Sequence, residues 1–508
     1  MKRINQQLQH HALLDLVLVV VGAVTTLAFS PFNVWAFAFI CPAILFHFWT
    51  ISTAKRAYMQ GLLFGLGFFG TSISWVFISM HRFGGMNLFT AGLATLLLVI
   101  VVTQFIAVNG WVVNALFKAN TYVRLLMVYP VSWVLFEWLR SYIFTGFPWV
   151  FLGYSQLNTP LAGFAPIASV YAVSFGCVMI SACLIGIFYP NRVRWPSLAI
   201  ILLILGTGYG ASTRHWTKRT DKSIPVRVVQ GNIAQQLKWD PNQLIANLMT
   251  YDQLMLSNLT PNTLMIWPEN AIPAFQFQVQ PYIKSLTQTL NTHKMGLITG
   301  IPLIGSNDSI YYNGARGLGL AAGLYKKHHL VPFGEYIPLK ATFGPLLNIL
   351  DVKMSSFSGG PIVQSLFSFQ GVNIALFICY ESAYPEQVRQ ALQDAGFIIT
   401  LSDDAWFGAS IGPKQHAQMN QMRALETGRF IINATNNGVT DIVSPKGRVM
   451  ISLPQFTRGV LHGKVTVYQG ETPWVRYGLT PLFSLFFILL VLAWVIMPPT
   501  FRTEKNSS

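Results

Sequence analysis

The chain has 508 residues, 52% of them hydrophobic and only 10% charged, against roughly 25% charged in an ordinary soluble protein. Its formal net charge is +16, but residues 225–470 hold only 17 Lys or Arg against 13 Asp or Glu. Most of the excess therefore lies beside apolar segments, where it bears on membrane orientation rather than on nucleic acid. Cys41, Cys177 and Cys183 sit inside apolar runs and only Cys379 in the polar region, which argues against a disulfide framework or a Cys/His metal site.

In chain order, apolar segments near 12–29, 32–49, 57–79, 89–116, 122–140, 162–189, 195–212 and 477–497 read as membrane spans, since about 20 apolar residues in helix cross a bilayer core. The first follows Lys2 and Arg3 as a signal peptide would, yet no small-x-small cleavage site follows, so it reads as an uncleaved span. Lys55, Arg56, Lys118, Arg124, Arg192 and Arg194 fall in or beside the loops after spans two, four and six, and Arg502 and Lys505 follow the last. The alternate connections hold little more than Arg82 and Arg140. The positive-inside tendency then puts both termini in the cytoplasm and the large polar region across the membrane, in the periplasm of a bacterium that has one. The connection 141–160, with Gly146-Phe147-Pro148-Trp149 and Gly153-Tyr154-Ser155-Gln156, reads either as an interfacial aromatic loop or as a re-entrant segment.

The expected organisation is a transmembrane domain over 1–215, a water-facing domain over 225–470 and a last membrane helix over 477–497. In the water-facing part, β-rich runs at 226–230, 264–267, 296–299, 372–378 and 397–401 alternate with helical stretches at 241–256, 281–292, 385–394 and 414–429. Such alternation predicts a layered α/β fold with its chemistry at strand ends.

Three reactive side chains stand at or near such ends. Glu269 follows Leu264-Met265-Ile266-Trp267-Pro268, Lys327 lies in Tyr325-Lys326-Lys327-His328-His329, and Cys379 follows Ile374-Ala375-Leu376-Phe377-Ile378. Taken singly, each is commonplace: a loop charge, a surface lysine, a buried thiol. Together they hold what acyl transfer needs, a carboxylate to take the thiol proton and a cation to steady a tetrahedral oxyanion.

The series Trp267-Pro268-Glu269-Asn270, Tyr325-x-Lys327-x-x-Leu330-Val331-Pro332-Phe333-Gly334-Glu335 and Cys379-Tyr380-Glu381 resembles the Glu–Lys–Cys signature of the nitrilase superfamily. With the spans, Gln230-Gly231-Asn232, Asp404-Ala405-Trp406-Phe407-Gly408 and Thr435-Asn436-Asn437-Gly438, the chain closely resembles the bacterial apolipoprotein N-acyltransferase family. Asn433 departs from the arginine expected before Ala-Thr-Asn.

The resemblance implies a multi-spanning α-helical membrane domain carrying an α/β nitrilase-like αββα sandwich. It implies acyl transfer from a phospholipid, commonly phosphatidylethanolamine, to the N-terminal amine of a diacylglyceryl-cysteine apolipoprotein, with no metal or organic cofactor. It makes Cys379 the nucleophile, Glu269 the base and later acid, and Lys327 the oxyanion stabiliser, in a two-step reaction through a thioester with ping-pong kinetics. Glu335 would support the site, Tyr380 would contribute its backbone N–H, and Glu381 would orient Lys327 by ion pairing. His416 reads as a supporting residue rather than a partner of the thiol.

Trp149, Trp239, Phe333, Phe343, Phe357 and Trp406 are candidates to line a greasy mouth, or else are core packing, and 353–361 reads as a lid or an inert loop. One rival reading keeps the same three residues in a membrane-tethered amidase, with water as the second nucleophile. Spans poor in ionisable residues count against a transporter.

Overall fold

The computed structural model describes residues 15–117, 121–305, 310–336 and 357–496. Two compact units form: Met1–Ser74, Gly92–Arg214 and Tyr477–Ser508 belong to one, Trp75–Ala91 and His215–Arg476 to the other, of which the described residues are treated below.

The first unit is helical, as apolar chain must be where backbone groups can be satisfied only internally. Leu88–Leu116, Thr121–Arg140, Pro160–Gly186 and Asn191–Thr213 are long and apolar enough to cross a membrane, and Ala54–Ser72 passes the same test together with Trp75–Phe83, which is counted with the second unit. Asp15–Ala28, Phe37–Thr50 and Thr480–Ile496 are shorter apolar helices. Among the described residues all eight expected segments are helical and four are of spanning length, one of which, Pro160–Gly186, is kinked at Ala168 and Ser169.

Small residues let these helices approach closely, as in lipid-soluble bundles. A Cβ on Gly22 would meet the Phe64 carbonyl carbon at 2.9 Å, and one on Gly67 would meet Ala23 N at 2.9 Å. Beside them Thr26 Oγ1 and Thr71 Oγ1 share a hydrogen bond of 2.6 Å.

The connection 141–160 is not a simple exposed aromatic loop. Tyr142 to Thr145 and Asn158 are exposed, while Trp149 to Gln156 turn inward and are buried. Glu137 Oε1 draws them in by accepting from Leu152 N (2.9 Å) and Trp133 Nε1 (3.1 Å).

The second unit carries the strands β1 (Lys218–Gln230), β2 (Leu264–Ile266), β3 (Gly296–Gly300), β4 (Leu303–Ile304), β5 (Tyr311–Tyr312), β6 (Gly314–Gly319), β7 (Ala321–Ala322) and β8 (Leu324–Lys326). These are followed by β9 (Phe367–Phe369), β10 (Val372–Ile378), β11 (Phe397–Ser402), β12 (Ile431–Thr435), β13 (Asp441–Val443), β14 (Val449–Ser452) and β15 (Gly459–Gln469). One sheet runs β15-β1-β2-β3-β6-β8 and the other β14-β13-β12-β11-β10-β9-β7, with β4 and β5 as a separate pair. The central strands β1-β2-β3 and β10-β11-β12 pair in parallel.

Strand side chains alternate between faces, and here both faces are apolar. Val226, Val228, Leu264, Ile266 and Ile298 pack with Ile374, Leu376, Phe397, Ile399 and Ile432 to form the core between the sheets. Val229, Met265, Trp267 and Leu297 point the other way, into Leu248, Tyr251 and Met255 of helix Leu244–Leu256 and Ile283, Leu286 and Leu290 of helix Gln280–Thr292. Helices Pro385–Leu392 and Gly412–Thr427 cover the second sheet beside β10 and β12. The αββα sandwich expected from the sequence is the observed architecture, and it aligns the carboxyl ends of β2, β10 and β11, where loops meet.

Candidate active site

β2 ends at Ile266, where the Trp267 N–H still donates to Ile298 O at 2.9 Å before Pro268 ends the strand. The turn that follows lies directly on Gly300. A Cβ there would come 2.6 Å from Pro268 O and 2.7 Å from the Glu269 Cα, so only glycine permits this approach. Glu269 is buried, with Oε1 accepting from Asn313 Nδ2 (2.7 Å) and Oε2 from the Asp403 backbone N–H (2.8 Å).

Lys327 continues the edge of β8, its N–H donating to Asn313 O at 2.8 Å. Its buried ammonium donates to Glu335 Oε1 at 2.9 Å and stands 3.6 Å from Glu269 Oε1. Burial works against that charge, but Glu335 and then Glu269 outweigh it and raise the ammonium above its ordinary range. The ammonium is a fixed cation at neutral pH.

Cys379 directly follows β10 with φ +53°, a left-handed conformation that costs a side-chain-bearing residue on the order of 1 kcal/mol or more. The chain then turns at once into the short helical segment Cys379–Ala383. Glu381 holds this turn: Oε2 accepts from Ile378 N (2.7 Å), and Oε1 accepts from His328 N (2.7 Å), His329 N (3.1 Å) and Gln387 Nε2 (2.9 Å). The Tyr325 hydroxyl donates its one proton between the two oxygens, at 3.0 and 3.1 Å. One buried carboxylate thus ties the end of the Lys327 strand to the Cys379 turn. Cys379 remains half-buried. Desolvation pushes its thiol well above the usual range and the Glu269 charge pushes it further, while Lys327 pulls the other way. The resting sulfur is a protonated thiol flanked by a carboxylate and an ammonium.

Around these groups lie polar residues that the sequence did not single out as a set. Asn313 Nδ2 donates to both Glu269 Oε1 and Glu335 Oε1, each at 2.7 Å. Lys238 and Asp403 form a buried ion pair of 2.6 Å. His416 Nε2 lies 3.2 Å from the Cys379 carbonyl oxygen and 3.1 Å from Ser382 Oγ, and its Nδ1 is 3.2 Å from Asp404 Oδ1. His416 therefore braces the backbone of the turn. Asn436 donates from its side chain to Ile233 O and Asp403 Oδ1, and its carbonyl oxygen accepts from Asn232 N at 2.8 Å, which joins the Thr435-Asn436-Asn437-Gly438 run to Gln230-Gly231-Asn232.

Two independent stretches of the chain match known families. Residues 21–183 match the apolipoprotein N-acyltransferase N-terminal domain, and residues 225–472 match the carbon-nitrogen hydrolase family. The apolipoprotein N-acyltransferase of Coxiella burnetii is 40% identical over 480 residues, which cover 94% of this chain and 99% of that one. This chain belongs to the apolipoprotein N-acyltransferase family. The Azotobacter vinelandii apolipoprotein N-acyltransferase is 38% identical over 492 residues, 95% of each chain. Among solved structures, the carbon-nitrogen hydrolase of Helicobacter pylori G27 is similar at 14% identity and a TM-score of 0.35, over 48% of this chain and 88% of that one.

The residues that the apolipoprotein N-acyltransferase resemblance brought forward are not all found together. Glu269, Lys327, Cys379 and Glu335 converge. Glu381 does not ion-pair with Lys327 as expected, because its oxygens are taken up by the N–H and O–H donors described above. Tyr380 is half-buried, with its ring against His329 (5.8 Å between centroids) and Tyr384 (5.1 Å). Trp239, Phe333 and Trp406 are exposed in the second unit. Phe357 is half-buried, and its N–H donates to Glu335 O at 3.0 Å. Trp149 belongs to the helical unit, where it is buried and stacked on Phe147. Phe343 lies outside the described residues, as does 353–356 of the expected lid. The described remainder of that segment is tied down, Ser358 N to Tyr311 O at 2.7 Å and Gly360 N to Lys327 O at 2.8 Å.

Proposed function

We propose that this protein transfers an acyl chain from a phospholipid, phosphatidylethanolamine being the expected donor, to the N-terminal α-amine of a diacylglyceryl-cysteine apolipoprotein. The observation that carries this reading is the likeness to apolipoprotein N-acyltransferases along 94% of the chain, helical unit included. A hydrolase of small polar amides has no use for that helical unit. A lipid enzyme does, because each CH₂ drawn into water costs about 0.8 kcal/mol.

In the proposed first half-reaction Glu269 takes the Cys379 proton as the sulfur attacks the ester carbonyl, and the Lys327 ammonium neutralises the oxyanion. The ester C–O bond breaks, the leaving alkoxide takes the proton from Glu269, and a lysophospholipid departs from the Cys379 thioester. In the second half-reaction the lipoprotein amine attacks the thioester and gives a proton to Glu269. The C–S bond breaks, the thiolate recovers that proton, and an amide remains. The raised thiol explains why a base is required, since spontaneous ionisation at neutral pH is suppressed. Two substrates using one sulfur in turn give ping-pong kinetics.

The positive-inside distribution supports a multi-pass protein of the bacterial inner membrane with both termini cytoplasmic and the Glu269–Lys327–Cys379 site periplasmic. A synthetic diacylglyceryl-cysteine peptide added to the acylated enzyme tests the assignment. The expected result is an amide-linked chain on the peptide with loss of the enzyme adduct. Discharge to water at the same rate with and without peptide would instead favour the tethered amidase.

A further inference from the structure

Beside Glu269 lies a second buried lysine to which neither the sequence motifs nor the reaction above gives a task. Lys238 closes the short helical segment Gln235–Lys238 and is 2% exposed. Its ammonium donates to the backbone carbonyl of Glu269 at 2.7 Å and to Asp403 Oδ2 at 2.6 Å. The Asp403 backbone N–H in turn donates to Glu269 Oε2 at 2.8 Å. One cation therefore reaches the carboxylate by two routes, through the main chain of Glu269 itself and through the residue that grips its side chain.

We propose that Lys238 is a positioning residue for Glu269: it fixes the carboxylate in place and neutralises Asp403 beside it. The inference rests on the reading of Glu269 as the base. A buried lysine is costly unless paired and hydrogen-bonded, and this one is committed to two acceptors of a single loop junction. The turn that carries it is itself held, with Asn247 Nδ2 donating to Leu237 O at 3.2 Å and to Lys238 O at 3.3 Å. Gln235, with its amide turned to suit both neighbours, donates to Asp403 Oδ2 at 2.9 Å and accepts from Trp406 Nε1 at 3.2 Å. The exposed indole of Trp406 is thus linked through one amide to the group that holds the base.

The electrostatic consequence follows from the charges that face this pair. Asp403 meets Lys238, Glu269, the Asn436 amide and the Tyr251 phenol of helix Leu244–Leu256. Glu269 meets Lys327 and, beyond it, Glu335 and the Cys379 thiol. With Lys238 present, Asp403 is paired, and the ammonium offsets part of the repulsion between Asp403 and Glu269. Without it, two carboxylates share a buried junction, and like charges disfavour ionisation.

The test is alkylation of Cys379 by iodoacetamide as a function of pH, read by intact mass on the full-length protein in detergent. The other cysteines are buried. Lys238→Met should slow alkylation on the order of tenfold at neutral pH and move the acidic limb of the profile up by about one unit. Lys238→Arg should restore the limb in part. The double variant Lys238→Met, Asp403→Asn removes both charges, so the limb should return toward its original position although the rate stays low. A merely structural lysine would lower the rate or the melting temperature without moving the limb. A Lys238→Met limb superimposable on the unaltered protein's would overturn the proposal, as would a double variant shifted as far as the single one. Phospholipid plays no part in this assay, so a failure to acylate would count against the proposed substrate and would not bear on the role of Lys238.

Discussion

Lys327 donates to Glu335 at 2.9 Å and stands 3.6 Å from Glu269, so the ammonium is bonded to Glu335 rather than to Glu269. In the proposed reaction this division leaves Glu269 free to act as the base while the cation stays fixed beside it. Asn313 completes the arrangement by donating to both carboxylates.

Replacing Glu335 by Gln should therefore harm the reaction more than the fold. The amide keeps the shape but removes the nearest counter-charge, and Lys327 should swing toward Glu269 and tie up the base. Acyl-enzyme formation should fall roughly 10–100-fold, the range for a displaced catalytic group. Stopped reactions with labelled phospholipid measure the rate, and circular dichroism checks the fold.

Gly300→Ala tests how closely the Glu269 turn is packed. The added methyl meets Pro268 O at 2.6 Å and the Glu269 Cα at 2.7 Å, both backbone atoms that cannot rotate away. The base should shift, and kcat should fall about tenfold or more with little change in KM. Steady-state kinetics in mixed micelles separates the two constants.

A third outcome concerns stability against pH. Burial pushes the Asp441 carboxyl up to about 7, although the Asn433 amide opposes it at 2.6 Å. A carboxyl raised above its unfolded value binds more protons in the folded state. Its contribution is fully present below the unfolded value near 3.8 and is lost as pH rises through about 7. Stability should thus decline across that window by a few kcal/mol, at roughly 1.4 kcal/mol per unit. Asp441→Asn should flatten the decline, as scanning fluorimetry from pH 4 to pH 8 would record.

Much of this architecture was legible in the residues, for identifiable reasons. Val372–Ile378 has the expected bounds because an apolar run ends there in a polar turn. β1 starts earlier than expected, at Lys218, because its first half is polar and partly exposed and is held by pairing with β15. β6 is hidden in the sequence because Gly314, Gly317 and Gly319 erase any alternation of side chains. At the site, Glu269, Lys327, Cys379 and Glu335 stand out by motif. Asn313, Lys238 and Asp403 do not, since their roles arise from contacts across 22 to 165 positions of chain. Glu381 is expected to pair with Lys327 because opposite charges attract. The backbone N–H groups of Ile378, His328 and His329 take its oxygens instead, since a buried donor left unpaired costs more than a second ion pair returns.

The proposed reaction turns on Cys379 carrying the chain between two substrates. Intact-protein mass spectrometry after incubation with phosphatidylethanolamine tests this most directly. The expected result is one added acyl mass, lost on treatment with hydroxylamine and absent from Cys379→Ala. An unaltered protein that never gains that mass, or a Cys379→Ala variant that gains it equally, would contradict a thioester on this sulfur.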